Sequence, residues 1–136
     1  MIKRLSHASF GSRDLARTIG FYQSLLGCKI AHEFRNSAGE LYGVFLYCGN
    51  GTFLEFFNET EPKPASGLFR HICFETDDIE AEAARFRAAG HQLEIRRGRT
   101  DQILQFFVHD PDEIMIEFQQ HDEKSVLLSY VTGGRG

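Results

Sequence analysis

The apolar and polar positions of this chain fall into an order that is written twice. A strand is expected from about Lys3 to Phe10. The period then changes: Leu15, Ile19, Tyr22 and Leu26 recur at spacings of four, three and four, the stripe of an amphipathic helix. Ser12 or Asp14 can cap its start, and Gly27 suits the left-handed position after its end. Three strands follow near Lys29–Phe34, Leu41–Cys48 and Thr52–Phe57, with turns at Asn36–Gly39 and Gly49–Gly51. The segment 59–67 holds two of the three prolines and no apolar pattern, and reads as a linker. The second half repeats the sequence of elements. A strand over Leu68–Glu75 leads to a helix capped by Asp77 or Asp78, whose buried face is Ile79, Ala83, Phe86 and Ala89 and which ends at Gly90. Strands near Gln92–Arg96, Ile103–Val108 and Glu113–Gln119 complete it, with His109–Asp112 as the last tight turn. After His121 the tail is polar, briefly apolar at Val126–Leu128, then glycine-rich and expected to fray.

The offsets support a duplication. His7 to His71 is 64 positions, Gly27 to Gly90 is 63 and Glu55 to Glu117 is 62. The expected fold is α+β: two tandem βαβββ modules in one domain, the first over about 1–58, the second over about 68–120, with a tail at 121–136.

Composition narrows the function. The 136 residues suffice for one domain with a sizeable core. Net charge is −4 with no basic run, which gives no electrostatic reason to expect nucleic acid as a partner. No stretch approaches the roughly 18 apolar residues needed to cross a bilayer, so no membrane partner is expected. The opening MIKRLSHASF has no apolar leader or cleavage site, and the three cysteines, Cys28, Cys48 and Cys73, lie in no CxxC spacing. A reduced, cytoplasmic setting is the expectation.

Strand alternation places four polar residues with care. Ile114, Ile116 and Phe118 share one apolar face, and Glu117 points the other way with Met115 and Gln119. Leu54 and Phe56 oppose Glu55, which sits with Phe53 and Phe57; Ile72 and Phe74 oppose His71, which joins Phe69 and Cys73. His7 likewise shares its face with Leu5 and Ser9. All four therefore lie on the face away from the helix, as expected for the inside of a curved sheet lining a cavity. A carboxylate on a buried strand is costly unless paired or bound to a cation. Two imidazoles and two carboxylates suit one divalent transition metal, Ni, Co, Mn, Fe or Zn, and no thiolate is needed. Four protein ligands leave two positions on an octahedral ion for water or substrate oxygens.

Longer motifs join these residues. Leu5-Ser-His7, then Arg13-Asp-Leu-Ala-Arg17 and Phe21-Tyr-Gln-Ser-Leu-Leu-Gly27, form the first signature; Arg70-His-Ile-Cys-Phe-Glu75, Phe107-Val-His-Asp-Pro-Asp112 and Ile116-Glu117 form the second. From Leu5 to about Gln120 the chain resembles the vicinal oxygen chelate superfamily of glyoxalases, bleomycin-resistance proteins and extradiol dioxygenases. The resemblance implies two βαβββ modules making a curved mixed sheet around one metal. The ligands would be His7, Glu55, His71 and Glu117, and the substrate a small molecule with vicinal oxygens. It also implies a homodimer, since short members often combine His7 and Glu55 of one chain with His71 and Glu117 of another. The His-Glu-His-Glu set is that of bacterial glyoxalase I, a lyase that isomerises a hemithioacetal through an enediolate. Glu117 would then be the proton-abstracting base and Glu55 its counterpart.

Three positions depart from that pattern. Gly11 stands where the family has a glutathione-contacting Arg, Glu59 where it has an Asn, and Glu113 where it has a Gly. The first two argue against glutathione as substrate. The expectation is a lactoylglutathione lyase-like lyase or isomerase of another compound. Its alternatives are an epimerase of a cyclitol, keto-sugar or acyl-thioester, an extradiol-type iron dioxygenase using His7, His71 and Glu117, and an antibiotic-binding resistance protein. Phe53, Phe57, Phe107, His109 and Arg99 are candidates to touch substrate, while His32, His91 and His121 are expected in loops or at strand ends.

Overall fold

The computed structural model describes residues 5–59, 61, 69 and 71–132. The chain divides into two compact units, Met1–Leu68 and Phe69–Gly136. In the first, β1 (His7–Ser12) leads to α1 (Leu15–Leu26), then β2 (Lys29–Arg35), β3 (Leu41–Gly49) and β4 (Thr52–Asn58). The sheet order is β1-β4-β3-β2, with β1 parallel to β4 and the other pairs antiparallel. The second unit repeats this with β5 (Ile72–Glu75), α2 (Ile79–Ala88), β6 (Arg96–Arg97), β7 (Leu104–His109) and β8 (Met115–Gln120), in the order β5-β8-β7-β6. Two four-stranded mixed sheets, each with its helix, are the tandem βαβββ modules that the sequence predicts.

Local chemistry explains the helix ends. Asp14 caps α1: its side chain accepts the Arg17 N–H at 3.0 Å. Ser12, the other candidate, is buried, with its Oγ 2.7 Å from Thr18 Oγ1. Gly27 ends the helix at φ 68°, a left-handed conformation that suits a residue without Cβ. Asp78, not Asp77, caps α2 by accepting from Ala81 N at 3.0 Å. Each helix lays its apolar stripe on its sheet. In unit one Leu15, Thr18 and Tyr22 meet Val44, Leu46, Leu54 and Phe56, all buried, with the Tyr22 and Phe56 rings 4.9 Å apart. In unit two Ile79, Ala83 and Phe86 are buried with Phe106, Ile116 and Phe118, and the Phe106 and Phe118 rings stack at 4.9 Å. Ala89 is exposed, because α2 ends before it.

Some boundaries differ from expectation. The strand expected over Gln92–Arg96 shrinks to Arg96–Arg97 paired with Leu104 and Gln105. It lies at the sheet edge with one neighbour only, so apolar alternation alone does not extend its ladder. The first strand begins at His7, with Leu5 outside it and 79% exposed. The last begins at Met115, because Glu113 is held in a turn: Asp110 Oδ1 accepts from Asp112 N at 2.8 Å and Ile114 N at 2.9 Å. The tail forms a short helix, α3 (Leu128–Val131), where the sequence shows only an apolar patch. The expected linker, apart from Glu59 and Glu61, and the glycine-rich end lie outside the described residues. Among the described residues no helix is long and apolar enough to cross a membrane.

Candidate metal and substrate site

Parallel pairing sets the first His–Glu pair. His7 lies beside Phe53 and Ser9 beside Glu55 in the β1–β4 ladder. Partners in register share a face, so His7 and Glu55 occupy the same face one pleat apart. On the next strand Phe45 is in register with Glu55, and the His7 ring meets the Phe45 ring edge-on, with centroids 5.4 Å apart. Glu55 is half-buried and His7 exposed.

The second unit repeats the device. Cys73 is in register with Glu117, and His71 lies two residues before Cys73, ahead of β5. Phe107 is in register with Glu117, and the His71 ring meets it edge-on at 6.0 Å. Here the pair closes: His71 Nε2 is 2.8 Å from Glu117 Oε2. Glu117 is only 9% exposed, held between β5 and β7. Burial raises its carboxyl above the ordinary carboxylate range; the neighbouring His71 pulls it back, and the charge of Asp101 adds to the rise. Cys73 has much of its surface exposed, yet packing around the sulfur, with Glu117 and Glu75, pushes its thiol up to about 12.

Phe45 escaped the sequence reading, although its signal was available: Phe45 to Phe107 is the same 62-residue offset as Glu55 to Glu117. His32 is a correction. It stands within β2, not in a loop or at a strand end, in register with Phe45. With Ser6, His7, Ala31, Phe45 and Phe53 it lines a recess of about 390 Å³. The alternation of His32 with Phe34 along one strand face was the overlooked cue.

The other candidates divide between the units. Phe53 packs between Phe45 and Tyr47, at 6.0 and 5.5 Å. Phe57 lies over Gly43, stacked on Tyr42 and 5.1 Å from Phe34. The face of unit one is therefore aromatic. Phe107 and His109 are exposed on β7, in register with Glu117 and Met115. Arg99 is exposed in a turn. Its neighbours are engaged: Arg96 with Glu94 at 2.7 Å, and Arg97 with both carboxylate oxygens of Asp122 at 3.0 and 2.7 Å. Phe69 is 57% exposed.

Each unit thus offers one imidazole and one carboxylate on the face away from its helix, in the same register. Among the described residues no group of three His, Cys, Asp or Glu side chains is gathered. By donor chemistry each pair suits a divalent transition ion: nitrogen and oxygen ligands, and in unit two a buried carboxylate whose contact is an imidazole.

Known proteins are similar to this chain in sequence or in fold. The profile of the Glyoxalase/Bleomycin resistance protein/Dioxygenase superfamily matches residues 4–118. Uncharacterized protein YwbC of Bacillus subtilis is 32% identical over 126 residues, covering 88% of this chain and 99% of its own. A lactoylglutathione lyase of Neisseria meningitidis is 27% identical over 136 residues, covering 95% and 99%. The crystal structure of the fosfomycin resistance protein FosX from Listeria monocytogenes superposes with a TM-score of 0.70 at 17% identity, over 91% of this chain and 98% of that one.

Proposed function

The chain belongs to the Glyoxalase/Bleomycin resistance protein/Dioxygenase superfamily, and from that premise we propose that it is a divalent-metal-dependent lyase or isomerase that removes a proton from a carbon beside a substrate oxygen. The observation that carries this reading is the repeated His–Glu pair: the same residue types, on the same face, in the same register, backed by the same edge-on phenylalanine in both units. His7, Glu55, His71 and Glu117 would hold the ion. When bound, the ion supplies Lewis-acid charge to neighbouring substrate oxygens. Glu117 accepts the proton on a carboxylate oxygen, and Glu55 is its counterpart in the other unit. We also propose that the protein acts as a homodimer.

The substrate end of the proposal rests on unit one. Among the described residues its recess is lined by Ser6, Ala31, Phe45, Phe53 and two imidazoles, and suits a planar or apolar group next to the oxygens. Glutathione is disfavoured. A Cβ at Gly11 would lie 3.0 Å from the Glu59 Cβ, so an acidic side chain stands over the position from which a basic one would reach a glutathione carboxylate.

Metal analysis by mass spectrometry on protein loaded and desalted without chelator tests the ligand set. One ion per site is expected, and His7→Ala or Glu55→Ala should lose it; unchanged metal content in both variants would overturn the assignment. Exchange of the α-proton in D₂O, followed by NMR over a panel of aromatic and aliphatic 2-hydroxyketones, tests the chemistry. Exchange should favour the aromatic members and vanish in Glu117→Gln.

A further inference from the structure

Cys28 and Cys48 are 20 positions apart in the sequence, and their Sγ atoms lie 3.7 Å from each other. Topology brings them together. Lys29 is in register with Tyr47 at the end of the β2–β3 ladder, and continuing the register by one places Cys28 opposite Cys48. Both belong to the helix-covered face, the one opposite His7 and Glu55: Ile30, two residues from Cys28, is in register with the fully buried Leu46, two residues from Cys48. Cys28 directly follows the Gly27 cap of α1, and its N–H is tied to Tyr22 O at 3.1 Å. One sulfur is thus anchored at the helix end and the other at the end of β3.

We propose that Cys28 and Cys48 form a site of reversible oxidative modification, a dithiol that a peroxide converts to a disulfide between β2 and β3. Cys48 reacts first. It is the more accessible of the two, half-buried where Cys28 is 5% exposed. Its thiol is also lowered by the hydrogen bond from Cys28, while Cys28 is raised by that bond and by burial, so the shared proton stays on Cys28. The Cys48 thiolate attacks hydrogen peroxide; the O–O bond breaks, an S–O bond forms, and protonation of the departing hydroxide gives water and a sulfenic acid. Cys28 sulfur then attacks Cys48 sulfur; the S–S bond forms, the S–O bond breaks, and water leaves with the Cys28 proton. Overall two thiols and one peroxide give one disulfide and two waters. The sulfurs must close from contact to about 2.05 Å. Cys73 sits on the other sheet face of the other unit and takes no part. Transient oxidation of this kind is the form in which disulfides occur in reducing compartments.

The test uses the full-length protein treated with hydrogen peroxide, quenched with catalase, then denatured and alkylated with N-ethylmaleimide. Untreated protein should take up three labels. Oxidised protein should take up one, on Cys73, and peptide mapping should find the Cys28–Cys48 cross-link, reversed by dithiothreitol. In Cys28→Ala the reaction should stop at the sulfenic acid, trapped on Cys48 by dimedone. Three labels after peroxide, or a cross-link involving Cys73, would overturn the proposal. So would dimedone trapped on Cys73 with none on Cys48. The wild-type mapping stands on its own even if Cys28→Ala fails to fold.

Discussion

Replacing Glu117 with Gln separates a site residue from a structural ion pair. Glu117 faces His71 at 2.8 Å, with side-chain exposures of 11% and 37%. If the pair exists to hold the unit together, breaking it should cost about 3–5 kcal/mol, as for other buried ion pairs that lose one partner. The local physics points elsewhere. Burial of the carboxylate outweighs the attraction of His71, since the carboxyl remains above its ordinary range despite that contact. Gln keeps the shape and one hydrogen bond to the imidazole, a neutral bond worth about 0.5–1.5 kcal/mol in place of a charged one worth about 1.5–3 kcal/mol. It also removes the penalty of several kcal/mol for keeping a charge out of water. Metal-free Glu117→Gln should therefore unfold within about 1 kcal/mol of the wild type, or be more stable. Its metal affinity should fall by more than about tenfold, the least that is lost even when a group merely supporting a ligand is removed. Urea unfolding at pH 7 gives the first quantity and titration calorimetry with Ni²⁺ or Mn²⁺ the second. A loss of about 2 kcal/mol or more with unchanged metal affinity would make Glu117 a structural residue and refute the reasoning.

Further predictions concern what surrounds the site. Gly43→Ala would push its Cβ to 2.6 Å from Phe57 Cε1 and 3.1 Å from Phe56 O. It should cost about 1–3 kcal/mol in thermal or urea unfolding, part of which Phe57→Leu restores; an undiminished stability would show that Phe57 does not lie on Gly43. The clamp of Arg97 on Asp122 holds that carboxyl at about 2. Because the folded value lies below the unfolded one, the clamp contributes fully above about pH 4 and is lost as pH falls from there toward about 2. The difference in urea midpoint between wild type and Asp122→Asn should shrink over that window, and a constant difference would contradict it. Glu113 adopts φ 68° in the last turn, the left-handed region that favours glycine. Relief of about 1–2 kcal/mol of left-handed strain exceeds the roughly 0.5–1 kcal/mol entropic cost of glycine. Glu113→Gly should thus raise stability by up to about 1 kcal/mol, and a measured loss would count against the turn.

Much of this protein is legible because its determinants are local. The stripe Leu15, Ile19, Tyr22 and Leu26 needs only the helical period, and Asp14 and Asp78 need only a residue three positions ahead to cap. Alternation in β4 put Glu55 opposite Leu54 and Phe56, and burial in the folded unit follows that alternation. The repeat of 62 to 64 positions announced two modules because it is a property of the chain alone. What alternation cannot supply is register between strands distant in sequence. Only the ladders decide that Phe45 stands beside Glu55, that His32 opens onto the His7 recess, and that Phe57 covers Gly43. The same holds for Cys28 and Cys48, which share no motif and are brought within 3.7 Å by one antiparallel pairing. Burial is equally nonlocal. Glu55 and Glu117 are equivalent in pattern, yet Glu117 alone is nearly enclosed and meets an imidazole, because the depth of a side chain depends on what its neighbouring strands place around it. The sequence by itself determined which polar residues recur in both modules and which way they point; the tertiary structure decided which of them touch, since a periodic pattern specifies direction along one strand and contact requires two.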